Sequence, residues 1–193
     1  MLAPDVHADL KGSSLLWAPP LAILPYARGL YQPDLLYHWW RLLFTQGLLE
    51  RILYFWEPER RSALESVLGY FAETRLFLVY REYELVGGVW FNEVQPWQGN
   101  IGIAYSRHVR GPFAREATDR VCRAAFEGYG WDLIWGFTPW RSALEHGLRI
   151  GFRLVATLPE HVRFRGQRRP LYIGRRTAPC RIRASDSEDS PTP

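Results

Sequence analysis

The pattern of apolar and polar positions changes period inside one stretch, Asn100 to Ala125. Ile101, Ile103 and Tyr105 alternate with Gly102, Ala104 and Ser106. That period of two predicts a strand with one crowded face and one open face. After the turn Val109-Arg110-Gly111-Pro112-Phe113, the positions Ala114, Ala117, Val121, Ala124 and Ala125 recur at helical spacing. A strand that runs through a glycine turn into a helix start presents free backbone N–H groups and the positive end of a helix dipole. Such a turn favours an anion, and Arg110 and Arg115 flank it. The stretch is read as a strand–turn–helix that holds, or descends from one that held, the pyrophosphate of a nucleotide-like cofactor; an ordinary crossover shares this pattern.

Read outward from there, the rest of the chain alternates helix and strand signals. Residues 1–33 are rich in Pro, Gly and Ala, with a short apolar run from Leu15 to Ala18, and read as irregular with one edge strand at most. Asp34 to Trp56 is apolar on most sides (Leu35, Leu36, Trp39, Trp40, Leu43, Leu49, Ile52, Leu53, Trp56), with a break expected at Gly47. Such a helical region is deeply buried or packs on a partner. Pro58 separates it from a helix over Glu59 to Tyr70. Leu76 to Tyr80 and Glu84 to Val94 are strand runs, and Gly87-Gly88 inside the second predicts a bulge or a close approach. Leu133 to Phe137 reads as a mid-sheet strand. Ser142 is the expected cap of a helix that stops at Gly151. Phe152 to Thr157 is a further strand, and His161 to Arg165 with Leu171 to Ile173 make a hairpin around Gly166. Residues 184–193 are polar, acidic and expected to be disordered.

Composition narrows the classes. The 193 residues are 47% hydrophobic and 15% aromatic, enough for a sizeable core in one domain. No apolar run is long enough to span a bilayer, and the first residues lack a signal-peptide pattern. Cys122 and Cys180 have no CxxC partner, so a reducing, cytoplasmic setting is expected. The formal charge is +4, and Lys11 is the only lysine. Arginine suits anionic ligands through its planar fork. No zinc-finger, helix-turn-helix or RNP-type signature is present, and a nucleic-acid partner is not expected. No metal-ligand cluster is read from the spacing.

Three stretches resemble the GNAT superfamily of acyl-CoA-dependent N-acyltransferases. Leu85-Val86-Gly87-Gly88-Val89 is similar to the strand that precedes the family's cofactor strand. Arg110-Gly111-Pro112-Phe113-Ala114-Arg115-Glu116-Ala117 is similar to its R-G-x-G-hydrophobic-A-x-E-A loop. Trp135 to Pro139, then Ser142-Ala143 and Gly151-Phe152, resemble its next strand, helix start and terminal "GF". The resemblance covers roughly 75–176. It implies an α+β, GNAT-like domain over 34–183, with a mixed, mostly antiparallel central sheet flanked by helices. It also implies acetyl-CoA as cofactor, seated between two splayed strands, Asn100 to Ser106 and Leu133 to Thr138. Residues carried over for cofactor binding are Ile103, Tyr105, Arg110, Gly111, Phe113, Ala114, Arg115 and Ser142.

The sequence also departs from that pattern. The loop is one residue short and lacks its second glycine, and Pro112 has no N–H to give. The family's usual tyrosine acid has no counterpart, since that region reads His146-Gly147-Leu148-Arg149. The candidate catalytic residues are Glu93 and His108 as bases and His146 as acid. Two readings follow. One is an acetyl-CoA-dependent N-acetyltransferase acting on an amine of a protein or small molecule. The other is a catalytically degenerate GNAT-fold protein with an assembly role, a homo-oligomer or larger complex built through 34–56. Proteins of this loop style are also encoded by tailed bacteriophages, which adds the virion to the cytoplasm as an expected location.

Overall fold

The computed structural model describes residues 17–18, 20–26, 33–109 and 111–179. Strands β1 (Trp17–Ala18) and β2 (Leu21–Pro25) come first, followed by four helices: α1 (Pro33–Thr45), α2 (Leu49–Ile52), α3 (Pro58–Ser62) and α4 (Leu64–Ala72). Strands β3 (Arg75–Arg81), β4 (Glu84–Gln95) and β5 (Gln98–Tyr105) lead into helix α5 (Pro112–Gly128). Strand β6 (Leu133–Thr138), helix α6 (Arg141–Arg149) and strands β7 (Arg153–Phe164) and β8 (Gln167–Thr177) complete the described chain.

The eight described strands form one sheet in the order β1-β2-β3-β4-β5-β6-β8-β7. Every neighbouring pair is antiparallel except β5 with β6. This is the mixed, mostly antiparallel α+β architecture that the resemblance implies. Two hairpins turn on two-residue loops with positive φ: Glu82 and Tyr83 (50° and 74°), and Arg165 and Gly166 (48° and 76°). Positive φ at both positions matches the right-handed twist of the flanking strands.

The two faces of the sheet carry separate cores. On one face, Leu36, Trp39 and Leu43 of α1 pack with Val67 and Phe71 of α4, Trp90 of β4 and Ala104 of β5. On the other, Ala117, Val121, Cys122 and Ala125 of α5 pack with Phe77, Val89, Phe91 and Ile134. The small side chains along α5 let its axis lie close to the strands. The aromatic stretch 34–56 is thus mostly consumed by the protein's own core: Trp39, Leu43 and Leu53 are wholly buried.

Gly47, at φ 61°, breaks the helical region as its sequence predicts. Gly87-Gly88 combines both expectations. The β3–β4 register slips between Val79 and Tyr80, and a Cβ on Gly88 would come within 2.9 Å of the Trp39 ring. Several details differ. Residues 21–25 are a strand paired along β3 rather than irregular chain. The helix over Glu59 to Tyr70 is two helices, because Ala63 is extended between them. Ser142 does not cap α6: that position is Trp140, whose N–H is accepted by Thr138 Oγ1 at 3.1 Å. Residues 1–16, 19 and 27–32, with Leu15 and Leu16 among them, and the tail 184–193 lie outside the described residues.

Candidate active site

The one parallel pair creates the cleft. β5 and β6 pair only from Gln98–Leu133 to Ile101–Gly136. Beyond that point each strand stays with its outer neighbour. Tyr105 still pairs with Gly87 of β4, and Thr138 with Tyr172 of β8. The two strands therefore part, and their facing backbone edges leave N–H and C=O groups without a strand partner. A cavity of about 470 Å³ fills the gap. It is lined from both faces of the sheet, by Gly47, Arg51 and Tyr54 on one side and by Ala114, Arg115 and His146 on the other. The gap is thus a slot through the sheet.

Helix α5 begins at this slot. Gly111 precedes it with φ 75° and ψ −134°, and Pro112 is its first residue. Proline suits that position, since the N–H it lacks would have had no intrahelical acceptor. The Arg115 N–H returns to the Gly111 carbonyl at 3.2 Å. The N–H groups of Phe113 and Ala114, in the first turn, have no acceptor within the helix. They remain as donors for an anion, and Arg115 of the same turn lines the slot.

A polar cluster lies on the α5 side. The Thr118 hydroxyl, 1% exposed, donates to the Ala114 carbonyl at 2.8 Å. Its single proton is thereby used, so it accepts from the Tyr105 hydroxyl at 2.9 Å and from His146 Nε2 at 3.2 Å. This assigns the His146 proton to Nε2 and leaves a lone pair on Nδ1. Burial, and then the Arg115 charge, push the His146 pKa down to about 4. At neutral pH the ring is uncharged and has no imidazolium proton to give, which does not fit the general acid expected of it. Burial likewise holds the Tyr105 phenol well above the ordinary tyrosine range.

The structure gathers Ile103, Tyr105, Gly111, Ala114, Arg115, Ser142 and His146 around the slot. It does not bring the other expected residues there. Glu93 is exposed at the far end of β4, at φ 48°, and accepts a hydrogen bond from Asn100 Nδ2. His108 is exposed in the turn after β5, outside the slot lining. The Phe113 ring packs on the core under the Arg81 guanidinium and does not line the slot. Arg110 lies outside the described residues. The open face expected at Gly102 is occupied by the Trp90 indole. Trp131 is buried in the core, Trp97 is exposed and Trp140 lines the slot. Sequence reasoning missed Thr118 and Tyr54. The signal for Thr118 was a lone hydroxyl within the apolar stripe of α5; Tyr54 had none.

No family model matches the sequence, and no curated protein is similar to it at a significant level. Solved structures are similar in fold. Spermidine N-acetyltransferase from Vibrio cholerae, in complex with CoA and spermine, superposes with a TM-score of 0.67 at 17% identity, covering 83% of this chain and 96% of that one. A GNAT-family acetyltransferase from Bacillus anthracis gives 0.65 at 15% identity, over 84% and 97%. The microcin C7 self-immunity acetyltransferase, in complex with acetyl-CoA and AMP, gives 0.65 at 11% identity, over 83% and 94%. The chain has the acyl-CoA N-acyltransferase fold of the GNAT superfamily. Among the described residues, no helix is long and apolar enough to cross a membrane, and no group of three or more His, Cys, Asp or Glu could hold a metal ion.

Proposed function

We propose that this protein is an acetyl-CoA-dependent N-acetyltransferase. The observation that carries the reading is the slot between β5 and β6, which ends at the free N–H groups of α5. Its residues fit the cofactor. Phe113 and Ala114 N–H with Arg115 would hold the pyrophosphate. The unpaired edge of β5 from Gly102 to Tyr105 would take the amides of the extended arm, as an added strand does. The cofactor supplies an acetyl group activated as a thioester. The spermidine N-acetyltransferase and the microcin C7 self-immunity acetyltransferase, which share this fold, are complexes with CoA and acetyl-CoA, which supports the choice.

The chain's own chemistry at the slot is positioning. Trp90, Ile52 and Tyr54 give its wall a mostly apolar surface. His146, neutral and held by Thr118, offers Nδ1 as an acceptor that orients the incoming amine or a water beside it. An imidazole with so low a pKa is a weak base, so the amine arrives uncharged or loses its proton to solvent. Acetyl-CoA should raise the melting temperature of the purified protein, because a ligand that binds only the folded state stabilises it. Arg115→Ala should reduce that rise. No shift at millimolar acetyl-CoA removes this reading and leaves the fold in place.

One observation favours an assembly role beside it. Tyr37 and Phe44 are 44% and 54% exposed, with the half-buried Trp40 between them, its ring stacked on Phe44 at 5.1 Å. This aromatic strip on α1 suits self-association. A strict monomer in light scattering of the full chain would rule self-association out.

A further inference from the structure

The slot has two mouths of different character. The α5 mouth is the one assigned above to the cofactor phosphates. The other opens beneath α2, where Arg51, Ile52, Tyr54 and Trp90 line it. Tyr54 also forms the wall of a second recess, of about 320 Å³, bounded by Glu50, Arg61, Arg163, Phe164 and Arg165. An acceptor that enters from the α2 side meets this recess first.

Its charge is one-sided. Glu50 is engaged by Arg165, whose Nε donates to Glu50 Oε2 at 3.1 Å. The other acidic side chain lining either cavity among the described residues, Glu145, is paired with Arg141 at 3.2 Å. Arg163 makes no ion pair among the described residues. Arg61 also lines the recess and makes no ion pair among the described residues; its Nη1 donates to the Glu50 carbonyl at 3.5 Å. Across the slot, the Arg51 guanidinium lies over the Trp140 ring at 4.8 Å, and Trp140 Nε1 donates to the Arg51 carbonyl at 2.9 Å. These contacts fix the rim between the recess and the slot. A polyamine would find no unengaged carboxylate here.

We infer that the acceptor is a small primary amine that also carries an anionic group, a carboxylate or a phosphate, held by Arg61 and Arg163 while its amine passes Tyr54 into the slot. The inference rests on the transferase reading for which mouth the cofactor uses. The recess itself can be tested without it.

The test uses the full chain and acceptor pairs that differ in one group: β-alanine against propylamine, and O-phosphoethanolamine against ethanolamine, with spermidine as the cationic case. Thiol release from acetyl-CoA is followed. The acid-bearing member of at least one pair should show a kcat/KM about tenfold or more above its neutral partner. The pair that shows it tells carboxylate from phosphate. Arg163→Gln, an exposed position that leaves the core untouched, should erase the preference, as should Arg61→Gln where it folds. The acetyl-CoA melting shift should survive in both. Equal or better use of propylamine, ethanolamine or spermidine overturns the inference, and so does a preference that persists in Arg163→Gln. Where no acceptor turns over, the melting shift given by O-phosphoethanolamine or β-alanine alone decides. Protection of the parent protein that is lost in Arg163→Gln supports the recess, and equal protection, or none, overturns it. Loss of the acetyl-CoA shift itself would overturn the transferase reading separately.

Discussion

The Trp90 indole sits where a side chain at position 102 would have to be: a Cβ on Gly102 would lie 2.1 Å from the ring. Trp90 is 4% exposed, and its Nε1 donates to the Tyr70 hydroxyl at 3.3 Å, so the ring is held in place by its indole nitrogen. Gly102→Ala should therefore overpack this wall and lower stability by about 1–3 kcal/mol. In a Trp90→Phe background the smaller ring should relieve much of that cost. A thermal-unfolding double-mutant cycle measures the coupling, and purely additive losses would break the assignment.

The same pair shows what was legible in the sequence. The alternation from Ile101 to Ser106 gave the strand, and the glycine gave the notion of space on one face. It could not say who fills the space, because Trp90 is a cross-strand neighbour placed by the β4–β5 register, which shifts between Asn92 and Gln95. Helix α5 was readable because its stripe of alanines is local and periodic. The positions of His108 and Glu93 were not. Each lies close in sequence to a slot strand, but the turn after β5 and the bulge in β4 carry them away from the slot. Thr118, Tyr105 and His146 come from three elements, and only tertiary packing brings them together.

Glycine substitutions at two other positions should have opposite signs. Gly111 has open space around a would-be Cβ, yet its φ of 75° with ψ −134° is a conformation that only glycine adopts readily. Gly111→Ala should cost about 1–3 kcal/mol through strain alone and weaken acetyl-CoA binding, since it displaces the first turn of α5. Gly69, inside α4, also has open space but no positive φ. Gly69→Ala should stabilise by up to about 1 kcal/mol. Melting temperatures that move the same way in both variants would contradict these backbone assignments.

Cys122 is wholly buried in the α5 core, and burial pushes its thiol up to about 12, against the Arg176 charge. Arg176 is held by Asp119 at 2.7 Å. In a Cys180→Ser background, the remaining thiol should not react with a thiol reagent at pH 8 while the protein is folded. It should react fully in denaturant. Rapid native labelling would place Cys122 at the surface of an opening helix.

The His146 cluster predicts an acid limb of defined sign. The folded ring titrates near 4 and a free histidine near 6.5. Between those values the unfolded chain binds the proton and the folded one does not, so the unfolded state gains as pH falls. Stability from this group is complete above about pH 6.5 and is lost progressively down to about pH 4. The span between the two pKa values corresponds to something on the order of 3 kcal/mol at 1.36 kcal/mol per unit. His146→Gln keeps a donor for Thr118 and removes the titration. Its stability should fall less steeply than the parent's between pH 6.5 and pH 4, with the curves diverging only below pH 6.5. Thr118→Val separates the hydrogen bonds from the charge: it should destabilise by about 1–3 kcal/mol at neutral pH, because the Tyr105 and His146 donors lose their acceptor. Denaturant midpoints of the three proteins across that range are the measurement. Parallel curves for parent and His146→Gln would mean that the ring protonates freely in the folded state and is open to solvent.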